Sequence, residues 1–175
     1  MTPPPVPLHR PGLALRRPRL EDGPKISDLI ANCPPLDVNS RYHALVQCDH
    51  FAETCIVAER GGQIIGWISG HVIPGKNPEL FIWQVAVSSA ARGEGLARSM
   101  LESLIDRDTC RAAALKTTIT SDNEASWALF TSFAETHGYD MSDAPHYERR
   151  THFDGAHATE HMVTISLSNT GKKAA

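Results

Sequence analysis

The sequence predicts an α/β protein, with about seven strands forming a central sheet and helices flanking it. Three observations lead there. Segments of strand character alternate with segments of helix character along the chain. The stretch from Leu80 to Leu104 passes from a β-branched and aromatic run, through a glycine turn, into a helical period. The length of 175 residues, 41% hydrophobic and 21% charged, suits one domain with a buried core.

Residues 1–12 carry prolines at 3, 4, 5, 7 and 11 and are expected to be a disordered N-terminal segment. Leu13 to Arg17 alternates and reads as the first strand. The arginines before Glu21 fit an exposed edge strand; a targeting or membrane-surface segment is the other reading. Asp22 is placed to cap a helix starting near Gly23-Pro24, with Ile26, Leu29 and Ile30 on its inner face, ended by Cys33-Pro34-Pro35. Leu36 to Ser40 is a loop, and Ser40 can cap a second helix through Tyr42, Leu45 and Val46.

Thr54–Glu59 and Gln63–Ile73, joined by Arg60-Gly61-Gly62, form a hairpin. The central strand runs from Leu80 to Val87. In the helix after it, Leu96, Ala97, Met100, Leu101, Leu104 and Ile105 share one face, and the helix is expected to end near Cys110 to Ala112. Leu115–Thr120 is the next strand. Ser121 and Glu124 read as a capping box for a helix that reaches His137 and stops at Gly138. Tyr147–Phe153 and Met162–Leu167 are the last two strands, and 168–175 is a disordered tail.

A strand that runs through glycines into a helix is an anion-binding device. The first backbone N–H groups of the helix have no internal partner, and the dipole is positive there. Arg92-Gly93-Glu94-Gly95-Leu96-Ala97 fits R-x-x-G-x-A, which resembles the pyrophosphate loop of the GNAT superfamily of acyl-CoA N-acyltransferases. The order of elements agrees with that family over residues 13–167, which are expected to form a single GNAT domain with a mixed sheet. Asn123, Ser126, Leu129 and Phe130 fit N-x-x-[AS]-x-x-L-[YF], a second family motif. The resemblance implies that Val85, Ala86, Val87, Arg92, Gly93, Glu94, Gly95, Leu96, Ala97, Asn123 and Phe130 bind acetyl-CoA. For Asn123, a helix cap is the plainer reading. Many members have a proton-donating Tyr where this chain has Phe130; a thiol with a pKa near 8.5 can leave as thiolate unaided, or Tyr42, Tyr139 or Tyr147 supplies the proton.

A closer resemblance runs through Cys33 to Tyr42, Gln47 to Cys55, Phe81 to Val87, Thr117 to Asn123 and Thr151-His152-Phe153. Together these are similar to the diaminobutyrate acetyltransferases of ectoine synthesis. That family acetylates the γ-amine of L-2,4-diaminobutyrate and is homodimeric. The resemblance implies substrate contacts from Asp37, Tyr42, Trp83 and Glu160, and an oxyanion site at a free backbone N–H of Val85, Ala86 or Val87. Val85 and Tyr42 are the catalytic expectations.

The chemistry demands a neutral γ-amine beside a charged α-ammonium, hence a carboxylate at one end of the substrate. Asp37 reads as that carboxylate, or as a helix-preceding cap or turn residue. Trp83 reads as an apolar wall or as core. The alternatives at the level of function are another small-amine or amino-terminal acetyltransferase, and a non-catalytic acyl-CoA-binding protein of the same fold.

A net charge of −3 argues against a nucleic-acid binder, and no apolar run approaches the roughly 20 residues of a membrane span. Cys33, Cys48, Cys55 and Cys110 form no C-x-x-C pair and lie in no nucleophile motif, so a reduced cytoplasmic protein with direct acetyl transfer is expected. His152, His157 and His161 fit no zinc spacing, so no metal is expected there.

Overall fold

The computed structural model describes residues 12–75 and 77–168. The expected disordered ends lie outside the described residues, save Gly12 and Ser168. The strands are β1 (Leu13–Arg16), β2 (Ile56–Arg60), β3 (Gln63–Ile73), β4 (Glu79–Val87), β5 (Ala114–Thr120), β6 (Met141–Tyr147) and β7 (Glu160–Ser166). The helices are α1 (Gly23–Ala31), α2 (Arg41–His50), α3 (Leu96–Ile105), α4 (Glu124–His137) and the one-turn α5 (Arg149–His152). The seven strands make one mixed sheet in the order β1-β2-β3-β4-β5-β7-β6, with β4 and β5 parallel. The chain falls into two compact units. One comprises the residues up to Ser69 with Gln84–Thr109; the other comprises Gly70–Trp83 with the chain from Cys110 onward.

In the first unit, Ile26, Leu29 and Ile30 of α1 pack with Ala44 and Cys48 of α2, Val57, Trp67 and Ala86. Burying a side chain of Leu or Ile size contributes about 1.5–3 kcal/mol, so this cluster anchors α1 and with it the loop that follows. Leu96, Met100, Leu101 and Leu104 of α3 are buried. Helix α3 comes close to β3 because Gly66 has no side chain: a Cβ there would lie 2.7 Å from Met100 Sδ and 3.0 Å from Ala58 Cβ. A bulkier residue would push α3 outward and carry its N-terminus along.

Asp22 stands at the N-cap of α1, yet its carboxylate does not cap the helix. Arg16 takes it in a fork at 2.7 and 2.9 Å, and the Arg19 N–H donates to it at 2.7 Å. Arg16 also reaches Glu59 at 2.7 Å. Charge-assisted bidentate pairing outcompetes a neutral cap bond. Burial pushes the Asp22 carboxyl upward, but the Arg16 bonds, the Arg19 N–H and the nearby positive charges outweigh it and hold it below the ordinary carboxylate range. Helix α3 ends at Ile105, short of the expected boundary. Just past that end, the Arg107 guanidinium donates to the carbonyls of Glu53 and Cys55 at 3.0 and 2.8 Å.

In the second unit, β5 pairs with β7 over its whole length, from Ala114↔Ser166 to Thr120↔Glu160, and β7 pairs on its other side with β6. β4 pairs with β5 only over Glu79–Phe81 and Ala114–Lys116, so β5 runs on to Thr120 beyond that pairing. Two expectations are corrected here. Helix α4 is capped by Asn123, whose Oδ1 accepts from the Ser126 N–H at 3.1 Å, and not by a Ser121–Glu124 box. The sixth strand is Met141–Tyr147, not Tyr147–Phe153. It is the outer strand and almost wholly exposed, so it shows no alternation to read, and Pro145 is tolerated at an edge. Residues 148–152 curl instead into α5: the Glu148 N–H donates to His152 Nδ1 at 2.7 Å and Thr151 donates to the Glu148 carboxylate at 3.0 Å.

Candidate active site

The anion loop is built from backbone. Gly93 and Gly95 have φ of +76° and +72°, a region that side-chain-bearing residues avoid. No atom lies within 4 Å of a Cβ built at either position, so the space beside both glycines is open. Gly95 is the N-cap of α3 and supplies no side-chain acceptor. The first N–H groups of α3, from Leu96 onward, have no partner inside the helix, as an anion site requires. A diphosphate fits this cradle by chemistry and by room.

One side chain in the loop opposes an anion. The Glu94 carboxylate is gripped by Arg60 at the end of β2, at 2.7 and 3.4 Å. The ion pair raises the Arg60 pKa, first through the hydrogen bond to Glu94, and cancels the negative charge inside the loop. Arg92 donates its Nε–H to the Val87 carbonyl at 3.4 Å, tying the turn back to the end of β4.

The second element of this unit is the loop between α1 and α2. Cys33 anchors its start, its thiol donating to the Val87 carbonyl at 3.4 Å. Ser40 closes it, its Oγ accepting from the His43 N–H at 3.2 Å, as a cap for α2 should. Between them the Gln84 amide donates to the Asp37 carbonyl at 2.9 Å. The Asp37 carbonyl is therefore fixed, while its side chain is exposed. The loop is held by backbone and neighbouring side chains, with the acid exposed. Tyr42, in the first turn of α2, is 75% exposed. Two buried polar atoms around the loop have no partner among the described residues, Gln84 Oε1 and Asn39 Nδ2.

On β4, Ala86 is buried with Gln84, and Val85 and Val87 lie on the half-buried face. All four cysteines are buried, and burial, with the Asp22 charge adding to it, pushes the Cys48 thiol up to about 12. A thiol with that pKa is almost wholly un-ionised near neutral pH and is no nucleophile.

In the second unit, Trp83 is 49% exposed, while Phe130 is buried within the unit. Glu160, at the start of β7, lies opposite Thr120 on one side and Tyr147 on the other. Its carboxylate is 3.8 Å from His157 Nε2. The three C-terminal histidines have separate partners. His152 accepts from Glu148 N–H, His157 bonds the Ala158 carbonyl, and His161 bonds Asp143 at 3.0 Å. No group of three or more metal-ligating side chains occurs among the described residues. Tyr139 stacks on His137 at 5.3 Å beside Phe133.

Residues 24–134 match the model of the Acetyltransferase (GNAT) family. The chain is 43% identical to the L-2,4-diaminobutyric acid acetyltransferase of Vibrio cholerae, over 93% of this chain and 96% of that one. It is 44% identical to the enzyme of the same name from Vibrio parahaemolyticus, over 87% and 84%. The chain belongs to the GNAT acetyltransferases, in the diaminobutyric acid acetyltransferase group. Among solved structures, this acetyltransferase superposes on diaminobutyrate acetyltransferase EctA from Paenibacillus lautus with a TM-score of 0.83 at 36% identity, over 88% of this chain and 94% of that one. That protein was solved in complex with L-2,4-diaminobutyric acid and coenzyme A.

Three features of this acetyltransferase were not anticipated from sequence: the Gln84 amide on Asp37, the Ser69 hydroxyl that accepts the Gln84 N–H at 3.2 Å, and the Arg60 grip on Glu94. Gln84 did leave a signal, as a single amide inside the apolar run Phe81 to Val87.

Proposed function

We propose that this chain transfers the acetyl group of acetyl-CoA to the γ-amine of L-2,4-diaminobutyrate, giving Nγ-acetyl-L-2,4-diaminobutyrate in ectoine synthesis. The observation that carries this is the likeness, over nearly the whole of both chains, to the Paenibacillus lautus enzyme bound to that amino acid and coenzyme A.

Acetyl-CoA supplies a thioester carbonyl that a neutral amine can attack. The chain's own residues do the rest. The backbone of Arg92, Gly93, Glu94, Gly95, Leu96 and Ala97 takes the diphosphate, with Arg60 removing the repulsion of Glu94. Asn123 keeps its Nδ2 donor for the cofactor, since its Oδ1 is spent on the helix cap, and Phe130 shapes the surrounding packing. A backbone N–H of Val85, Ala86 or Val87 meets the developing oxyanion; Val85 is our choice.

A free alkyl amine has a pKa near 10, so the γ-amine must lose its proton while the α-ammonium keeps its own. The exposed Asp37 carboxylate is available to hold the α-ammonium, with Glu160 as a further carboxylate for the substrate and Trp83 as an apolar wall. Tyr42 offers a hydroxyl beside Asp37 in the chain, as substrate ligand and as proton donor to the thiolate. Transfer is direct, because the thiols are buried and Cys48 is raised far above neutral pH.

The domain acts as one acetyltransferase over residues 13–167, in the cytoplasm. We further place it as a homodimer, for which the uncovered outer strand β6 is the support. A monomer by sedimentation at micromolar protein would remove that assignment.

The test of function is thiol release from acetyl-CoA, with and without L-2,4-diaminobutyrate. Release that depends on the amino acid and saturates with it is expected. Equal release in both would leave a CoA-binding protein without this acceptor.

A further inference from the structure

We propose that Gln84 is a positioning residue for the acceptor amino acid: its amide sets the Asp37 loop at the height and angle the substrate ammonium needs. The proposal rests on the reading of Asp37 as the ammonium ligand.

Gln84 is 6% exposed, in a strand whose buried neighbours Leu80, Ile82 and Ala86 are all apolar. Packing alone would put an aliphatic residue there, because burying an amide costs free energy unless it is hydrogen-bonded. Its main-chain N–H donates to the hydroxyl of Ser69, itself 1% exposed. Its side-chain Nε2 donates to the carbonyl of Asp37, 47 residues earlier in the chain. Because Nε2 must face that carbonyl, the amide orientation is fixed and Oε1 is left turned into the protein, buried and without a partner among the described residues.

The geometry gives Gln84 its role. Asp37 lies in a loop with no regular structure, and its carboxylate is exposed. Within the loop the Leu36 N–H donates to the Cys33 carbonyl at 3.1 Å and Leu36 packs on the core, and Asp37 is the residue just beyond that turn. Cys33 and Ser40 pin the two ends; Gln84 pins the residue that matters. Strand β4 also carries Val85, Ala86 and Val87, the residues proposed to meet the thioester oxygen. One strand then sets both the oxyanion site, through its backbone, and the ammonium ligand, through one side chain. An ångström of slack at Asp37 would let the substrate tilt and present its γ-amine off line.

The experiment measures the KM for diaminobutyrate, the coenzyme A dissociation constant and the melting temperature on four proteins: wild type, Gln84→Met, Gln84→Glu and Asp37→Ala. Gln84→Met keeps length and loses the donor. It should raise the KM for diaminobutyrate about tenfold with coenzyme A affinity unchanged. Gln84→Glu can donate to the Asp37 carbonyl only while protonated. Its KM relative to wild type should therefore improve as pH falls, whereas that of Gln84→Met should not.

An unchanged KM in folded Gln84→Met, with Asp37→Ala impaired, overturns the proposal and leaves the Asp37 reading standing. So does a Gln84→Met protein that weakens coenzyme A and diaminobutyrate equally, since that is a general loss of packing. If Asp37→Ala has wild-type KM, the Asp37 reading itself is wrong. Should Gln84→Met fail to fold, the pH trend of Gln84→Glu decides alone: a flat ratio to wild type overturns the proposal.

Discussion

The turn at Arg92–Ala97 and the loop at Cys33–Ser40 belong to the same unit and are built on opposite plans. The first is made of backbone. Two glycines at positive φ and the start of α3 create it, and its side chains matter mainly for staying out of the way. The second is made of side chains. Cys33, Gln84 and Ser40 hold it at three points, and its proposed working group is a single carboxylate. A backbone site suits a ligand part shared by a whole superfamily, such as a diphosphate. A side-chain site suits what distinguishes one acceptor from another. The difference teaches where substitutions should damage all acetyl-CoA chemistry and where they should damage the choice of amine alone.

The largest effect expected is at the backbone site. Gly95→Asp forces a side chain onto φ of +72° and adds a carboxylate where the diphosphate goes. Coenzyme A affinity should fall by about a hundredfold or more, measured by calorimetry on folded protein. Unchanged affinity would break the comparison at its first term.

The side-chain site should respond next. Hydrogen bonds to charged groups are worth about 1.5–3 kcal/mol, so Asp37→Ala should lose about ten- to a hundredfold in kcat/KM for diaminobutyrate while coenzyme A still binds. Asp37→Asn should be milder because it keeps an acceptor. Parallel loss of both ligands would erase the distinction between the loops.

A third variant probes what supports the acceptor loop from below. Asp22 is bonded by Arg16 at the start of α1, the helix whose far end leads into Cys33–Ser40. Asp22→Asn should lower stability by about 1.5–3 kcal/mol near neutral pH, with coenzyme A affinity unaltered. The sign with pH follows from the depressed carboxyl. Its stabilisation is complete above the unfolded value of about 3.9 and is lost as pH falls through the lower folded value. Denaturant midpoints of wild type and variant should therefore converge in acid.

The smallest effect sharpens the backbone half. Arg60→Ala frees Glu94 inside the anion loop and should weaken coenzyme A about fivefold, more at low salt. Adding Glu94→Gln should restore the affinity. No recovery in the double variant would mean that Arg60 acts through the hairpin and not through charge.

These two plans also explain what could be read in advance. The strand–glycine–helix passage at Leu80–Leu104 was legible because backbone sites need particular residue types at fixed spacing. The hairpin, α2 with its Ser40 cap, and the Gly138 stop were legible for the same local reason. Strand β6 was misplaced because an outer strand exposed on both faces leaves no alternation in the sequence. Asn123 and the Ser121–Glu124 pair both offer a cap in the sequence, and only the backbone path chooses Asn123. The Asp22 fork and the Gln84 strut join residues far apart in the chain, and local pattern carries no record of such pairs. Asp37 is legible as a loop residue, whereas the distant amide that holds its carbonyl is not.

The most direct measurement is the structure of the product. Protein, acetyl-CoA and L-2,4-diaminobutyrate should be incubated to completion and the mixture examined by NMR for acetylation at the α- and γ-nitrogens. Nγ-acetyl-L-2,4-diaminobutyrate alone is the predicted result. A mixture of α- and γ-acetylated products, or none with this amino acid while another amine is acetylated, would contradict it.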